Sequence, residues 1–171
     1  MDFTIYADML AAISVGVAEA LEESTLGRPE LTITPHSTPV DDCCNFVGVW
    51  MVAGRPTNSR EWPGGGQQPV ECGDYRMVPE IEIAVRRPCQ PILGESRSAP
   101  LPAPSKITAA GQDLLVDYAI LACSAPGIVQ QVVNSRQGYQ QLVQRILVGS
   151  LTPHSVGDCA GWNFRFRLEV D

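Results

Sequence analysis

The chain has 171 residues, of which 44% are hydrophobic, and a formal net charge of −7. That length suits a single domain spanning 1–171, able to bury roughly two-thirds of its unfolded surface without staples. The acidic balance, with Lys106 as the one lysine, excludes a protein that grips nucleic acid through its phosphates, which needs clustered Lys and Arg.

Most of the positive charge is arginine, which suits planar contacts with carboxylates across protein interfaces. No apolar run reaches the roughly 20 residues of a membrane helix. The start, Met1-Asp2-Phe3, lacks basic residues, and Asp8 interrupts what would be the apolar segment of a signal peptide. The reading is of a chain made and kept in the cytoplasm.

From Thr4 to about Ser24, Tyr6, Met9, Leu10, Ile13, Val17, Ala20 and Leu21 recur at helical spacing, opposite Asp8, Ser14, Glu19 and Glu22. This predicts an amphipathic helix stopped by Gly27 and Pro29. Leu31 to Thr34 alternates as a short strand before Pro35. Phe46 to Val52 is apolar on both faces and predicts a central strand buried on both sides.

Residues 54–73, punctuated by Pro56, Pro63, the Gly64–Gly66 run and Pro69, predict a long loop. Trp62 and Arg60 within it are candidate contact residues, because loops this long in a compact domain are commonly functional. Met77 to Arg86 predicts a strand with Ile81, Ile83 and Val85 inward and Glu80, Glu82 and Ala84 outward. The proline-rich stretch 98–104 reads as a stiff connector.

Ser105 then caps a second helix whose apolar stripe is Ile107, Ala110, Leu114, Tyr118, Leu121 and Ala122. Pro126-Gly127 stops or kinks it, with a further turn or two to Val133, and Tyr139 to Val143 leads by helix or loop onward. Arg145 to Leu151 is β-compatible, and Thr152 to Gly161 reads as a long hairpin connection. The final strand alternates without a break: Trp162, Phe164, Phe166, Leu168 and Val170 on one face, Asn163, Arg165, Arg167 and Glu169 on the other. The fold class that follows is α+β, a mostly antiparallel sheet of about five strands covered by two helices in the order α-β-β-β-α-β-β.

Chemistry is hard to find. No G-x-S-x-G elbow, H-E-x-x-H helix, Walker loop or dinucleotide fingerprint occurs. The six cysteines include no C-x-x-C pair, so buried thiols or a disulfide formed after release is favoured over structural zinc. His36 with Asp41, Asp42, Cys43 and Cys44 lacks a second ligand group at a known spacing. A thiol hydrolase would need a cysteine at a helix start, which the elements do not offer. Neither a catalytic residue nor a metal or cofactor is expected, although a cysteine-dependent hydrolase or metal-binding module stays open as an alternative.

Three stretches add a different kind of information. Asp41-Asp-Cys-Cys44 runs into a strand, Arg55-Pro-Thr-Asn-Ser-Arg-Glu-Trp-Pro63 forms a turn with Cys72 beyond it, and Gly157-Asp-Cys-Ala-Gly-Trp162 precedes the last strand. With the element order, they resemble the tail terminator family of long-tailed phages, particularly those of actinobacteria, over most of the chain. The resemblance implies a hexameric ring of identical subunits that caps the tail tube, stops its polymerisation and joins the head-completion or stopper protein. Partners would then be further copies of the chain, the major tail tube protein and that head-side protein, with DNA as passing cargo only. It implies a virion protein assembled in the host cytoplasm. A neighbouring head-tail stopper or adaptor is the alternative, since the 64–68 loop and the Pro126-Gly127 break depart from the pattern.

In such a ring, Arg165 and Arg167 of one subunit are expected to meet carboxylates of the next. Glu80 and Glu82, or Glu19, Glu22 and Glu23, are expected to give the lumen an acidic lining that lets DNA slide.

Overall fold

The computed structural model describes residues 3–33, 45–57, 76–88, 104–156 and 159–169. Helix α1 spans Phe3–Ala20 and runs into a 3-10 turn at Leu21–Glu23; strands β1 (Leu31–Ile33), β2 (Phe46–Thr57) and β3 (Arg76–Pro88) follow. Helices α2 (Pro104–Ser135) and α3 (Gln137–Leu142) then lead to β4 (Arg145–Val156) and β5 (Cys159–Glu169). The five strands form one sheet in the order β1-β2-β3-β5-β4. Only β1 with β2 is parallel, so the fold is α+β with a mostly antiparallel sheet and two main helices, as the patterning predicts.

The core lies between the helices and the sheet face that bears the inward row. Tyr6, Met9, Leu10, Ile13, Val17 and Leu21 of the first helix and its turn are buried there. Val47 and Val49 of β2, Ile81, Ile83 and Val85 of β3, and Phe164, Phe166 and Leu168 of β5 meet them. Helix α1 covers the β1–β2 side and α2 the β5–β4 side. Gly16 lets the helices approach, because a Cβ there would stand 2.8 Å from the Ile128 side chain. Across the layers, the Trp162 indole N–H donates to the Leu114 carbonyl at 2.8 Å, and its ring lies 5.0 Å from that of Tyr118.

Several expectations need correction. The stripe of α2 is rotated: Tyr118 and Ala122 are exposed, and the buried row is Asp117, Leu121, Ala125, Val129 and Val133. Asp117 sets that phase, since its carboxylate is wholly buried against Arg87, which is itself 1% exposed. Arg87 donates from Nε to Asp117 Oδ2 at 2.7 Å, from Nη2 to the Gly27 carbonyl at 2.8 Å and from Nη1 to Asn45 Oδ1 at 3.2 Å. The Ser24 hydroxyl donates to Asp117 as well. The pair therefore ties the end of β3 to α2 and to the chain that leaves α1. Its geometry uses two residues with positive φ, Gly27 and Asn45, types that adopt the left-handed region at low cost.

Pro126 does not stop α2, which continues to Ser135. Packing of Ala125, Val129 and Val133 into the core offsets the lost backbone bond, since tertiary burial outweighs local preference in most helices. Ser14 lies buried rather than on the polar face of α1, its hydroxyl donating to the Ala11 carbonyl at 2.9 Å. The expected long connection at 152–161 is instead strand: β4 pairs with β5 as far as Val156 and Cys159. That leaves only Gly157 and Asp158 between them, a two-residue glycine signal for a tight hairpin. Pro153 is accommodated because β4 is an edge strand.

Strand β2 continues to Thr57 and so takes up the start of the expected 54–73 loop; the rest of that loop, with Arg60 and Trp62, lies outside the described residues. So do the connector before Pro104 and the group His36, Asp41, Asp42, Cys43 and Cys44. By length and average apolar content alone, segments Thr4–Glu23 and Thr108–Ser135 reach what a bilayer crossing needs, a test that a core helix also passes. Alanines, glycines and valines between the charges raise the average without making an unbroken apolar run.

Candidate assembly interface

The outward rows of the sheet carry the charge. Two-residue alternation in β5 points Asn163, Arg165, Arg167 and Glu169 away from the helices, and the same alternation in β3 does so for Glu80, Glu82, Ala84 and Arg86. The β3–β5 register sets Glu82 opposite Arg165 and Glu80 opposite Arg167. Arg165 Nε donates to Glu82 Oε2 at 2.8 Å, and Arg167 Nη2 to Glu80 Oε1 at 3.1 Å. On the far side of β5, Arg145 and Glu169 come within 4.0 Å. Cross-strand pairs of opposite charge contribute about 0.2–1 kcal/mol each, so this ladder helps to set register.

The carboxylates expected to line a lumen are therefore compensated within their own subunit. Glu82 points to the predicted face but its side chain is only 6% exposed, whereas its partner Arg165 is 51% exposed. Trp50 of β2 flanks Glu82 on the other side. With Phe46 and Ala84 it forms a second, small apolar cluster on this face, and Gly48 makes room for it, since a Cβ there would stand 2.3 Å from the Trp50 ring. At Phe46, Trp50, Glu82, Ala84 and Arg86 the β2–β3 part of the outer face is consequently removed from solvent, whereas Arg165 on β5 is half exposed.

Beside Arg165 the β4–β5 pairing shifts register between Val148 and Leu151. Gly149 is required there, because a Cβ would stand 2.8 Å from the Arg165 carbonyl oxygen. Val148 is 55% exposed. Leu147, Val148, Gly149 and Ser150 frame a shallow open cleft with Arg165 and Arg167. Arg165 uses only Nε on Glu82; its two terminal nitrogens make no hydrogen bond among the described residues. Val148 itself sits opposite Phe166, on the helix side of β4, whereas the exposed planar donor pair of Arg165 on the outer face can receive a carboxylate from another chain bidentately.

Glu19 and Glu22 lie exposed at the end of α1 and in its following turn, at the opposite edge of the sheet; Glu22 is paired with Arg28 at 2.7 Å. They do not join Glu80 and Glu82. Sequence patterning missed the Arg87–Asp117 pair. The one trace of it was an aspartate four residues before Leu121 and eight before Ala125, on the row that proves to be buried.

Among the described residues, no group of three His, Cys, Asp or Glu side chains is placed to hold a metal. Cys123 is free and exposed within α2, not at a helix start. Cys159 is disulfide-bonded. Burial raises the Tyr6 phenol above its ordinary pKa of 10.0, and its hydroxyl, like that of Tyr139, has no partner. No protein-family model matches the chain, and no curated protein matches it.

Proposed function

We propose that the chain is a structural protein of a long-tailed phage virion, a tail terminator whose copies close into a ring on the end of the tail tube. The ring halts tube growth and presents a docking surface to the head-completion protein, while DNA passes through its centre. It carries out no catalysis and takes no cofactor. The observation that carries this reading is the exposed β5–β4 part of the sheet's outer face, where Arg165 offers two terminal nitrogens that are unused among the described residues, next to the edge strand β4. Support also comes from the element order, which follows the terminator-like arrangement expected from the sequence.

The test is to polymerise a tail tube protein from the same genome with and without the purified chain, and to image the products. Shortened tubes with ring density on one end are expected. Tubes of unchanged length with bare ends overturn the reading, and density on the portal complex alone would make the chain a stopper or adaptor.

A further inference from the structure

Helix α2 shows solvent a face without charge. From Ile107 to Ser135 the only charged residues are Asp113 and Asp117, and both turn towards the chain that follows α1. Asp117 is buried against Arg87 and accepts from Ser24, and Asp113 accepts from the Thr25 hydroxyl at 2.7 Å. The opposite side is open. Thr108, Gln112, Leu115, Ala119 and Ala122 follow one another at helical spacing and are all exposed, Leu115 at 60%. Tyr118, at 40%, and Cys123 flank the row, and Pro126 continues it. A surface helix normally carries charged residues on the side away from the core. Of the whole chain 18% is charged, yet this row of about five turns has no charged side chain.

We infer that the row is a contact between two copies of the chain, α2 packing antiparallel on α2 about a two-fold axis. Two observations select a second copy as the occupant. The chain carries a net charge of −7, so copies repel one another, and they do so least where a face has no charge. A strongly basic or acidic partner finds no counter-charge there. The row is also complementary to itself. With the axis between Ala119 and Ala122, Ala119 of each copy meets Ala122 of the other, and the projecting Leu115 lies against Pro126. Alanines at the crossing let the helix axes approach to about 8 Å.

From Thr108 to Pro126 the row is about 27 Å long and about 10 Å wide. It covers roughly 300 Å² per copy, against about 800 Å² per partner in a standard stable interface. The dimer is therefore weak. Because the contact is uncharged while the copies repel, added salt strengthens it. The inference is independent of the ring reading: a two-fold contact is complete at two copies, and in a ring it would pair one ring with another.

The experiment uses two double variants of the whole chain, Ala119→Glu with Ala122→Glu, and Ala119→Lys with Ala122→Lys. A third, Leu115→Ser, adds no charge. All three positions are exposed, so each variant is expected to keep the wild-type thermal transition, which is checked first. Self-association is followed by sedimentation equilibrium at low and high salt, up to about 1 mM, the range of weak affinities. Wild type is expected to dimerise, more tightly as salt rises. Each double variant is expected to associate at least tenfold more weakly, and Leu115→Ser severalfold more weakly. An equimolar mixture of the two double variants is expected to regain wild-type association, because each glutamate then meets a lysine.

Folded variants that associate like wild type overturn the contact. So does a mixture as weak as its components, which would mean that the row meets some other surface, and so does wild-type association that weakens as salt rises. A wild-type chain that stays monomeric throughout overturns it too, whether or not it binds neutral lipid vesicles. Rings that form alike from wild type and variants, with no pairing of rings, overturn the contact and leave the ring reading standing.

Discussion

Replacing Asp117 with Leu tests the claim that a buried ion pair organises the helix layer. The substitution leaves Arg87 almost fully buried with its Nε and part of Nη2 unpaired, while the bonds to Gly27 O and Asn45 Oδ1 remain. Removing one partner of such a pair costs about 3–5 kcal/mol, a large part of the roughly 5–15 kcal/mol that stabilises a domain. At about 2–4 °C per kcal/mol for a chain of this size, the thermal midpoint should fall by roughly 6–20 °C. Arg87→Met should cost a comparable amount, because Asp117 would keep only its bond from Ser24. The double variant should be more stable than Asp117→Leu alone, since no charge is then left in the interior. Thermal and denaturant unfolding of all four chains under one redox condition measures the coupling. Costs that simply add in the double variant, or a single variant within about 1 kcal/mol of wild type, would refute the reasoning.

Tyr6→Phe removes a buried hydroxyl without a partner, so the variant should be as stable as wild type or more so by about 1 kcal/mol. Because burial raises this phenol's pKa in the folded chain, the unfolded chain loses its proton first. Stability is therefore full below about pH 10 and declines as pH rises towards the folded value. The variant should show a shallower alkaline decline in denaturant midpoint, and an unchanged slope would contradict the assignment. Gly161→Ala would place a Cβ 1.8 Å from the Val85 carbonyl oxygen, a collision with backbone that only separation of β3 from β5 relieves. A loss of several kcal/mol or failure to fold is expected, read by circular dichroism; near-wild-type stability would show that the strands lie farther apart.

The sheet was legible because period-2 patterning is robust where one face is apolar throughout. Ile81, Ile83 and Val85, and Phe164, Phe166 and Leu168, all point where the alternation places them. Helix α2 was harder. Its stripe could be drawn through Tyr118 or through Asp117, and hydropathy favours the tyrosine. The deciding contact, Arg87 on Asp117, joins residues 30 positions apart, so no local window contains it. The charged face was half legible in the same way: alternation gave the direction of Glu80, Glu82, Arg165 and Arg167, but only register shows that they satisfy one another. Arg86 and Arg87, consecutive in sequence, go to opposite faces for the same geometric reason, one to Asn163 at 2.7 Å and the other to Asp117.

That internal pairing changes what Glu80 and Glu82 can do for passing DNA. Described segments carry ten acidic and ten basic residues, so the whole excess of −7 falls on the remaining stretches, with nine acidic residues against Arg60 and Arg97. On the outer face the carboxylates act chiefly as counter-charges to arginine rather than as a repelling surface. Glu80→Gln with Glu82→Gln should then leave Arg165 and Arg167 without their counter-charges and make the chain stickier to duplex DNA. Two added phosphate contacts would steepen the salt dependence by about 1.8 in the slope of log K against log salt. Adding Arg165→Gln and Arg167→Gln to that variant should return binding to the wild-type level, as read by fluorescence anisotropy across a salt series. If the fourfold variant instead binds DNA as the double one does, the carboxylates repel DNA in their own right, and the lumen-lining role first read for them from the sequence would stand.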